Sequence, residues 1–507
     1  MECYRIALSR TLGAVSFVGC GDLRISRATC DSRVVRPGDL FVAISGSTND
    51  GRAFISDAIR RGAAAILSEQ PVPGLSIPQC VVPNSRAAYA RLSMALRSNP
   101  ASDLKIAGVT GTNGKTTVTW LLRAIIEASG APAGLLGTIE YSDGVHSEPA
   151  SLTTPDSDLL GHWFSRMRQN SVRYCATEIS SHALDQRRCA ALELSAAAIT
   201  NVTRDHLDYH TDAASYRRAK SLIGELLHED APLFLCIDDP GCRLLQPELL
   251  RPQNVIWYGT QNDAHLKATL LQSDPYGMQL SLGLRTGSVA VRTALTGKHN
   301  IQNLLAAAAL AEQLEIPHEA IVAGLEGITA IPGRLERIDA GQPFHAFVDY
   351  AHTPDGLAEC LRTVRSTTEG RVICVFGAGG NRDRDKRPLM AQAAEAADVV
   401  VVTSDNPRNE RPGQIIEDIC GGFSQLDKVI VCPDRAMAIT RAVGQATAGD
   451  SVVIAGRGHE RTQQIANRSI CFDDRKVLRG ALLRMMNTPQ YILTPVSDSA
   501  PHEQIPA

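Results

Sequence analysis

The run Gly108-Val-Thr-Gly-Thr-Asn-Gly-Lys-Thr-Thr117 carries the residue types that hold a phosphate. Residues 104–109 are mostly apolar and read as a strand. After the run, Val118, Leu121, Leu122, Ile125 and Ile126 recur on one face of a 3.6-residue period, and Gly130 and Pro132 close that helix. A glycine-rich turn between a strand and a helix N-terminus aims backbone N–H groups at one point, where the helix dipole also favours negative charge. Lys115 can neutralise terminal phosphates there, and the Thr116 hydroxyl can face a divalent cation. Such loops place glycine where this chain has Val109, so the loop is a variant.

Other strand ends are also polar. The run 172–177 ends in Glu178-Ile-Ser-Ser-His182, and 196–200 ends in Asn201-Val-Thr-Arg-Asp-His-Leu-Asp-Tyr-His210. If both strands flank the phosphate loop, Glu178 and His206 lie beside the phosphates, where a carboxylate suits Mg²⁺. His206 and His210 have H-x-x-x-H spacing, but there is no H-E-x-x-H and no cysteine partner, so zinc is not expected and His210 reads as structural. Four more loops directly follow strand-like runs: Asp349-Tyr-Ala-His-Thr-Pro-Asp355, Gly377-Ala-Gly-Gly-Asn-Arg-Asp383, Asp405-Asn-Pro-Arg408 and Gly456-Arg-Gly-His-Glu460. Ligands of open parallel sheets bind outside the carboxyl ends of strands, so four such loops imply one site.

The elements that position these loops are legible in outline. A chain of 507 residues exceeds one core. Runs at 39–44 and 63–67 read as strands, 54–62 and 85–96 as helices, and 98–103 as a linker. Strict alternation of Met278, Leu280, Leu282 and Leu284, a turn at 285–288, then Val289, Val291 and Thr293 predicts a hairpin, and with it a mixed sheet. Residues 331–333 read as a second hinge. Strand-like runs at 346–348, 372–376, 399–402 and 452–454 alternate with helical patterns, which predicts a parallel, Rossmann-like sheet. Residues 488–507 hold four prolines and little periodicity, and read as a disordered tail.

Composition narrows the function. Hydrophobic residues at 44% and charged residues at 21% describe an ordinary globular protein. A net charge of -3 suggests attraction neither to nucleic acid nor to an anionic membrane. There is no stretch of 18 uninterrupted apolar residues and no apolar leader. Thirteen scattered cysteines without a C-x-x-C pair read as reduced, mostly buried thiols in a cytosol.

Taken in order, TGTNGKTT, TTPDS at 153–157, EISSHALDQRR at 178–188, NVTRDHLDYH, GKHNIQN at 297–303, GRLE at 333–336, DYAHTPD, GAGGNRDRDKR, DNPR and GRGHE resemble the Mur ligases from about residue 30 to residue 460. The variant phosphate loop is the form that family uses. The resemblance implies three α/β domains: 1–102 binding a UDP-linked substrate, a central P-loop ATPase-like domain with a mixed sheet at 103–332, and a Rossmann-like amino-acid-binding domain at 333–487. It implies an ATP-dependent, ADP-forming ligase of cytoplasmic peptidoglycan synthesis. ATP phosphorylates the D-glutamate γ-carboxylate of UDP-N-acetylmuramoyl-L-alanyl-D-glutamate, and the amine of meso-diaminopimelate attacks the acyl phosphate. No nucleic-acid or membrane partner is implied, and a monomer is expected.

The resemblance also implies roles residue by residue. Gly111, Thr112, Asn113, Gly114, Lys115, Thr116 and Thr117 hold ATP, with Asn303, Arg334 and Asp349 on the nucleotide side. Thr116 and Glu178 hold one Mg²⁺; Glu178, His206 and Lys220 hold a second. From its context alone Lys220 is a helix-surface lysine, and a lysine cation cannot ligate Mg²⁺. In the family the matching lysine is carbamylated to N6-carboxylysine. Lys115, Glu178, His206 and Lys220 thus form the catalytic set. Cys30, Ser32, Thr153, Thr154, Ser180, Gln186 and Arg188 match UDP-muramoyl-dipeptide positions. Arg382, Asp405, Asn406, Pro407, Arg408, Gly456 and Glu460 match the amino-acid pocket. There, arginine forks suit a distal carboxylate, and Glu460 and Asp405 suit a distal ammonium. Ser47-Thr48-Asn49 departs from the family pattern. The alternatives are a ligase adding L-lysine, which has no distal carboxylate, and a P-loop kinase or NTPase, which would need neither Lys220 nor the arginine-bearing pocket.

Overall fold

The computed structural model describes residues 5–46, 50–206, 208–245, 249, 254–274 and 276–487. The tail at 488–507 and Ser47-Thr48-Asn49 lie outside the described residues. The chain forms two compact units, Met1–Thr329 and Ala330–Ala507.

The first unit contains a five-stranded and an eleven-stranded sheet. In the smaller one, Ala28–Thr29, Leu40–Val42, Ala65–Ser68 and Gln79–Val81 run parallel, and Ser16–Val18 closes the edge antiparallel. Leu40 and Val42 pack on one face and Phe41 on the other, so the strand is apolar throughout instead of alternating. The expected helix at 54–62 is a 3₁₀ turn, Gly51–Phe54, followed by Ile55–Arg60. The expected linker at 98–103 is structured: Pro100–Asp103 forms a 3₁₀ turn with Pro100 and Ala101 buried.

In the larger sheet Lys105–Thr110 lies between Tyr174–Glu178 and Ala196–Ile199, parallel to both. The parallel run continues through Ala133–Leu136 on one side and through Leu233–Cys236 and Val255–Gly259 on the other. The expected hairpin is Gly277–Leu284 paired with Gly287–Thr293. A third strand, Leu266–Asp274, joins it antiparallel. Periodicity did not reveal that strand, because residues 269–274 are exposed on both faces.

The second unit is doubly wound. Its sheet runs Glu336–Arg337, His345–Asp349, Ser451–Ala455, Val372–Phe376, Val399–Val402, Val429–Val431, and only the first pair is antiparallel. Val372, Cys374 and Phe376 pack under helices Pro354–Arg365, Lys386–Ala394 and Pro412–Cys420. Ile373 and Val375 face Arg435–Gln445 and Asp474–Met486 on the opposite side. Burial on both faces explains the unbroken apolar strands. The hairpin Thr462–Ile465 with Arg468–Cys471 has no counterpart in the sequence reading. Among the described residues no helix is long and apolar enough to cross a membrane.

Candidate active site

The phosphate loop sits where the central strand ends. Gly114 precedes helix Lys115–Ala128 with φ +88°, a left-handed conformation, and a Cβ there would stand 2.5 Å from Asn303 Oδ1. Asn303 therefore abuts the loop, as expected of a nucleotide-side residue. Thr112 N–H donates to the Asn201 carbonyl, and Asn113 N–H donates to Asn201 Oδ1 at 2.9 Å. The loop is thus braced on the neighbouring strand end. Lys115 Nζ donates to the Gly111 and Thr112 carbonyls at 2.8 and 2.9 Å. Thr116 and Thr117 are buried at the helix start.

Glu178 is the last residue of its strand, paired with Val109, and is fully buried. Its Oε2 accepts from Thr116 Oγ1 at 3.1 Å and from Thr138 Oγ1 at 2.8 Å; its Oε1 accepts from Thr138 N–H at 2.8 Å. A buried carboxylate needs such donors. Thr138 escaped the sequence reading because it lies in a turn with no motif around it.

Lys220 departs from its surface expectation: it is 1% exposed, because helix Ala213–Ser221 packs its Tyr216 and Lys220 face inward. Tyr216 OH lies 3.2 Å from Thr112 Oγ1, which ties this helix to the phosphate loop. Lys220 Nζ lies 4.5 Å from the Tyr216 ring centre. Burial, and then the charge of Lys115, hold the Lys220 amine well below its ordinary range. His206 has φ +54° and stands 3.4 Å from Asp205, which also acts on Lys220. His210 is buried with Nε2 3.1 Å from Ser181 Oγ, and burial lowers its pKa, which suits a structural role.

Among the described residues no three His, Cys, Asp or Glu side chains stand grouped as a metal site. The donor chemistry nonetheless fits a hard cation. Thr116 and Glu178 bring hydroxyl and carboxylate oxygen to one point.

The muramoyl-dipeptide positions fall into two groups. Thr154 Oγ1 donates to the Glu178 carbonyl at 2.8 Å and accepts from Ser180 N–H at 2.9 Å. Arg188 donates to Gln186 Oε1 at 3.0 and 2.6 Å and to the Thr154 carbonyl at 3.2 Å. Thr153 Oγ1 accepts from Thr138 Oγ1 at 3.2 Å, which joins this cluster to Glu178. Cys30 and Ser32 follow the small sheet's strand Ala28–Thr29; Cys30 is exposed and Ser32 starts a 3₁₀ turn capped by Asp31. Asp156 acts on both the Cys30 thiol and Arg188, so the groups share one neighbourhood.

In the second unit the expected residues converge at strand ends. Asp405 and Asn406 are buried, and a Cβ on Gly456, whose φ is +110°, would lie 2.8 Å from Asp405 Oδ2. Pro407 accepts from Glu410 N–H at 3.0 Å. Arg408 adopts φ +50°, and its Nη1 donates to the Gly380 carbonyl at 2.7 Å. Burial, then the nearby Arg382 guanidinium, lowers the Arg408 pKa. Burial, then Asp405, pushes the Glu460 carboxyl up to about 7. These strand ends thus bring the guanidinium groups of Arg382 and Arg408 near the carboxyls of Asp405 and Glu460. Arg334 stacks on Tyr350 with its guanidinium carbon 4.6 Å from the ring centre. Both Asp349 oxygens are taken by backbone N–H groups, Leu335 at 2.6 Å and Ala351 at 2.7 Å.

Comparison with known proteins identifies the family. Residues 24–93 match the model described as Mur ligase family, catalytic domain; 109–311 match the Mur ligase middle domain; 333–458 match the Mur ligase, glutamate ligase domain. The chain is 43% identical over 460 residues to the UDP-N-acetylmuramoyl-L-alanyl-D-glutamate--2,6-diaminopimelate ligase of Geobacillus kaustophilus, covering 89% of this chain and 94% of that one. A solved structure of a ligase of that name is similar with a TM-score of 0.67 and 30% identity, over 96% of this chain and 100% of that one. A MurF ligase from Thermotoga maritima, solved in complex with ADP, shares the fold with a TM-score of 0.58 and 18% identity, over 90% and 96% of the two chains.

Proposed function

The chain belongs to the Mur ligase family, and from that premise we propose that it joins meso-diaminopimelate to the D-glutamate γ-carboxylate of UDP-N-acetylmuramoyl-L-alanyl-D-glutamate. It is an ATP-dependent, ADP-forming ligase. The observation that carries the choice of amino acid is the mixed-sign pocket of the second unit. Arg382 and Arg408 offer guanidinium forks, while Asp405 and Glu460 offer carboxyls. A diamino diacid supplies the complement of both.

Carboxylate and amine do not condense favourably in water, so the carboxylate is first phosphorylated. Negative charge then spreads over phosphoryl oxygens, and fixed cations and N–H donors stabilise it. Residues 111–117 cradle the phosphates, with Lys115 as the cation and Asn303, Arg334 and Asp349 on the nucleotide side. Thr116 and Glu178 would hold one Mg²⁺, and Glu178, His206 and Lys220, once carbamylated, a second; the ions would supply charge neutralisation. The depressed Lys220 pKa supports carbamylation, because only a neutral amine adds CO₂. Thr153, Thr154, Ser180, Gln186 and Arg188, with Cys30 and Ser32, orient the muramoyl dipeptide. Domains at 1–102, 103–332 and 333–487 divide these tasks, in the cytoplasm where ATP is supplied, and the enzyme works as a monomer.

Product analysis tests the reading. ADP and orthophosphate should appear in equal amounts, and only when the muramoyl dipeptide and diaminopimelate are both present. AMP and pyrophosphate would mean an adenylating mechanism and defeat it. ADP release without an amino acid would favour a kinase or NTPase.

A further inference from the structure

Arg457 is fully buried, yet no carboxylate lies within hydrogen-bond distance of it among the described residues. Its Nη2 donates to the Thr462 carbonyl at 2.8 Å, in the first strand of the hairpin, and to the Phe472 carbonyl at 3.2 Å, just after its second strand. Its Nη1 donates to Asn406 Oδ1 at 3.1 Å. Gln464 N–H donates to the same oxygen at 2.8 Å. With two donors on Oδ1, the Asn406 amide cannot flip without setting donor against donor. Its Nδ2 is therefore committed to the other side, where it donates to Glu460 Oε2 at 2.8 Å. The Arg457 guanidinium itself stands 3.9 Å from that carboxylate.

We propose that Arg457 is a positioning residue for amino-acid binding: by clamping the Asn406 amide between the hairpin and Glu460, it presents an aligned, ionised carboxylate to a substrate ammonium. The proposal rests on reading this pocket as the diaminopimelate site. The charges that face Glu460 come from several elements. Asp405 opposes its ionisation; Arg457, Arg408 and the buried Arg435 favour it. Removing the guanidinium leaves Asp405 less opposed and frees the Asn406 amide, so Glu460 holds its proton to higher pH.

Steady-state kinetics of Arg457→Met and Arg457→Lys across pH 6–9 test this. In Arg457→Met the KM for diaminopimelate should rise about tenfold or more with kcat within about threefold, while the KM values for ATP and the muramoyl dipeptide stay within about twofold. The acid limb of kcat/KM for diaminopimelate should move upward from its wild-type position. Arg457→Lys keeps the charge and should restore the limb more fully than the KM. Because the positioning runs through Asn406, the methionine change should add little to the KM for diaminopimelate in an Asn406→Ala background, while the limb, which feels the Arg457 charge directly, should still move. An unchanged KM and limb in folded variants overturns the proposal. So does failure of both variants to fold, which makes Arg457 part of the scaffold. If the wild type does not consume diaminopimelate, the reading of the pocket fails instead.

Discussion

Thr116 and Glu178 lie 62 positions apart, yet Thr116 Oγ1 meets Glu178 Oε2 at 3.1 Å because their strands are parallel neighbours. One residue opens the helix after the central strand, and the other ends the adjacent strand. Their oxygens meet at the rim where a triphosphate and its cation would lie.

Glu178→Gln should therefore remove charge without removing shape. The amide can still accept from Thr138 N–H. Turnover should fall by about a thousandfold or more, on the order of 4 kcal/mol of transition-state stabilisation. The melting temperature should move by no more than a few degrees, about what a shift near 1 kcal/mol gives. Retained turnover would remove Glu178 from the catalytic set.

Lys220→Ala should abolish turnover, and short carboxylates such as formate should restore part of it by supplying the missing oxygen ligands. Wild-type protein in ¹³C-bicarbonate should show a carbamate resonance absent from the variant. The amine is held well below its ordinary range by burial and Lys115, so carbamylation should persist at neutral pH. Full activity of Lys220→Ala would refute the assignment.

Selectivity between meso-diaminopimelate and L-lysine should be large. Lysine lacks the distal carboxylate and leaves the half-buried Arg408 without its partner. The cost is about 2–5 kcal/mol, a factor of roughly thirty to several thousand in kcat/KM. Arg408→Ala should raise the KM for diaminopimelate and leave ATP binding little changed. The hydrogen bond from Arg408 to Gly380 gives the side chain a turn-bracing share as well, so a small loss of stability should accompany the change. Equal kcat/KM for the two amino acids in the wild type would sink the specificity claim and leave the ligase chemistry standing.

Arg435 and Asp474 form an ion pair with both side chains fully buried, at 2.7 Å. Asp474→Ala strands the guanidinium, a cost of about 3–5 kcal/mol. Denaturant unfolding monitored in the second unit should register that loss, and a neutral result would show that Arg435 finds other acceptors. Its bonds to the Ala455 and Ser404 carbonyls are the candidates.

Much of this site is legible in the primary structure, for physical reasons. Glu178 stands where an apolar run turns polar, and the four charged loops of the second unit follow strands buried on both faces. Other features depend on packing that no local pattern encodes. Lys220 looks like a surface lysine until Tyr216 turns its helix face against the phosphate loop. Arg457, set between two glycines, looks like solvent-exposed loop. It is buried beneath a hairpin whose polar strands, with Gln463, Gln464, Arg468 and Ser469, lack alternation. Thr138 carries no motif, and its partner lies 40 residues away.

The strand Ser451–Ala455 lies between His345–Asp349 and Val372–Phe376, although it is made last. His345–Asp349 and Val372–Phe376, consecutive in the chain, are therefore not neighbours in the finished sheet and wait for the strand that joins them. Until residue 455 leaves the ribosome, Val372–Phe376 has an open edge, and the apolar Val399–Val402 depends on a half-built layer. Closure spans more than a hundred residues of chain, which makes it a slow, non-local step. Gly456 and Glu460, which follow the inserted strand, therefore join Asp405 and Asn406 only after that strand is made. A chain that stops short of the last strand lacks Gly456 and Glu460 and leaves the apolar strand Val372–Phe376 with one edge unpaired.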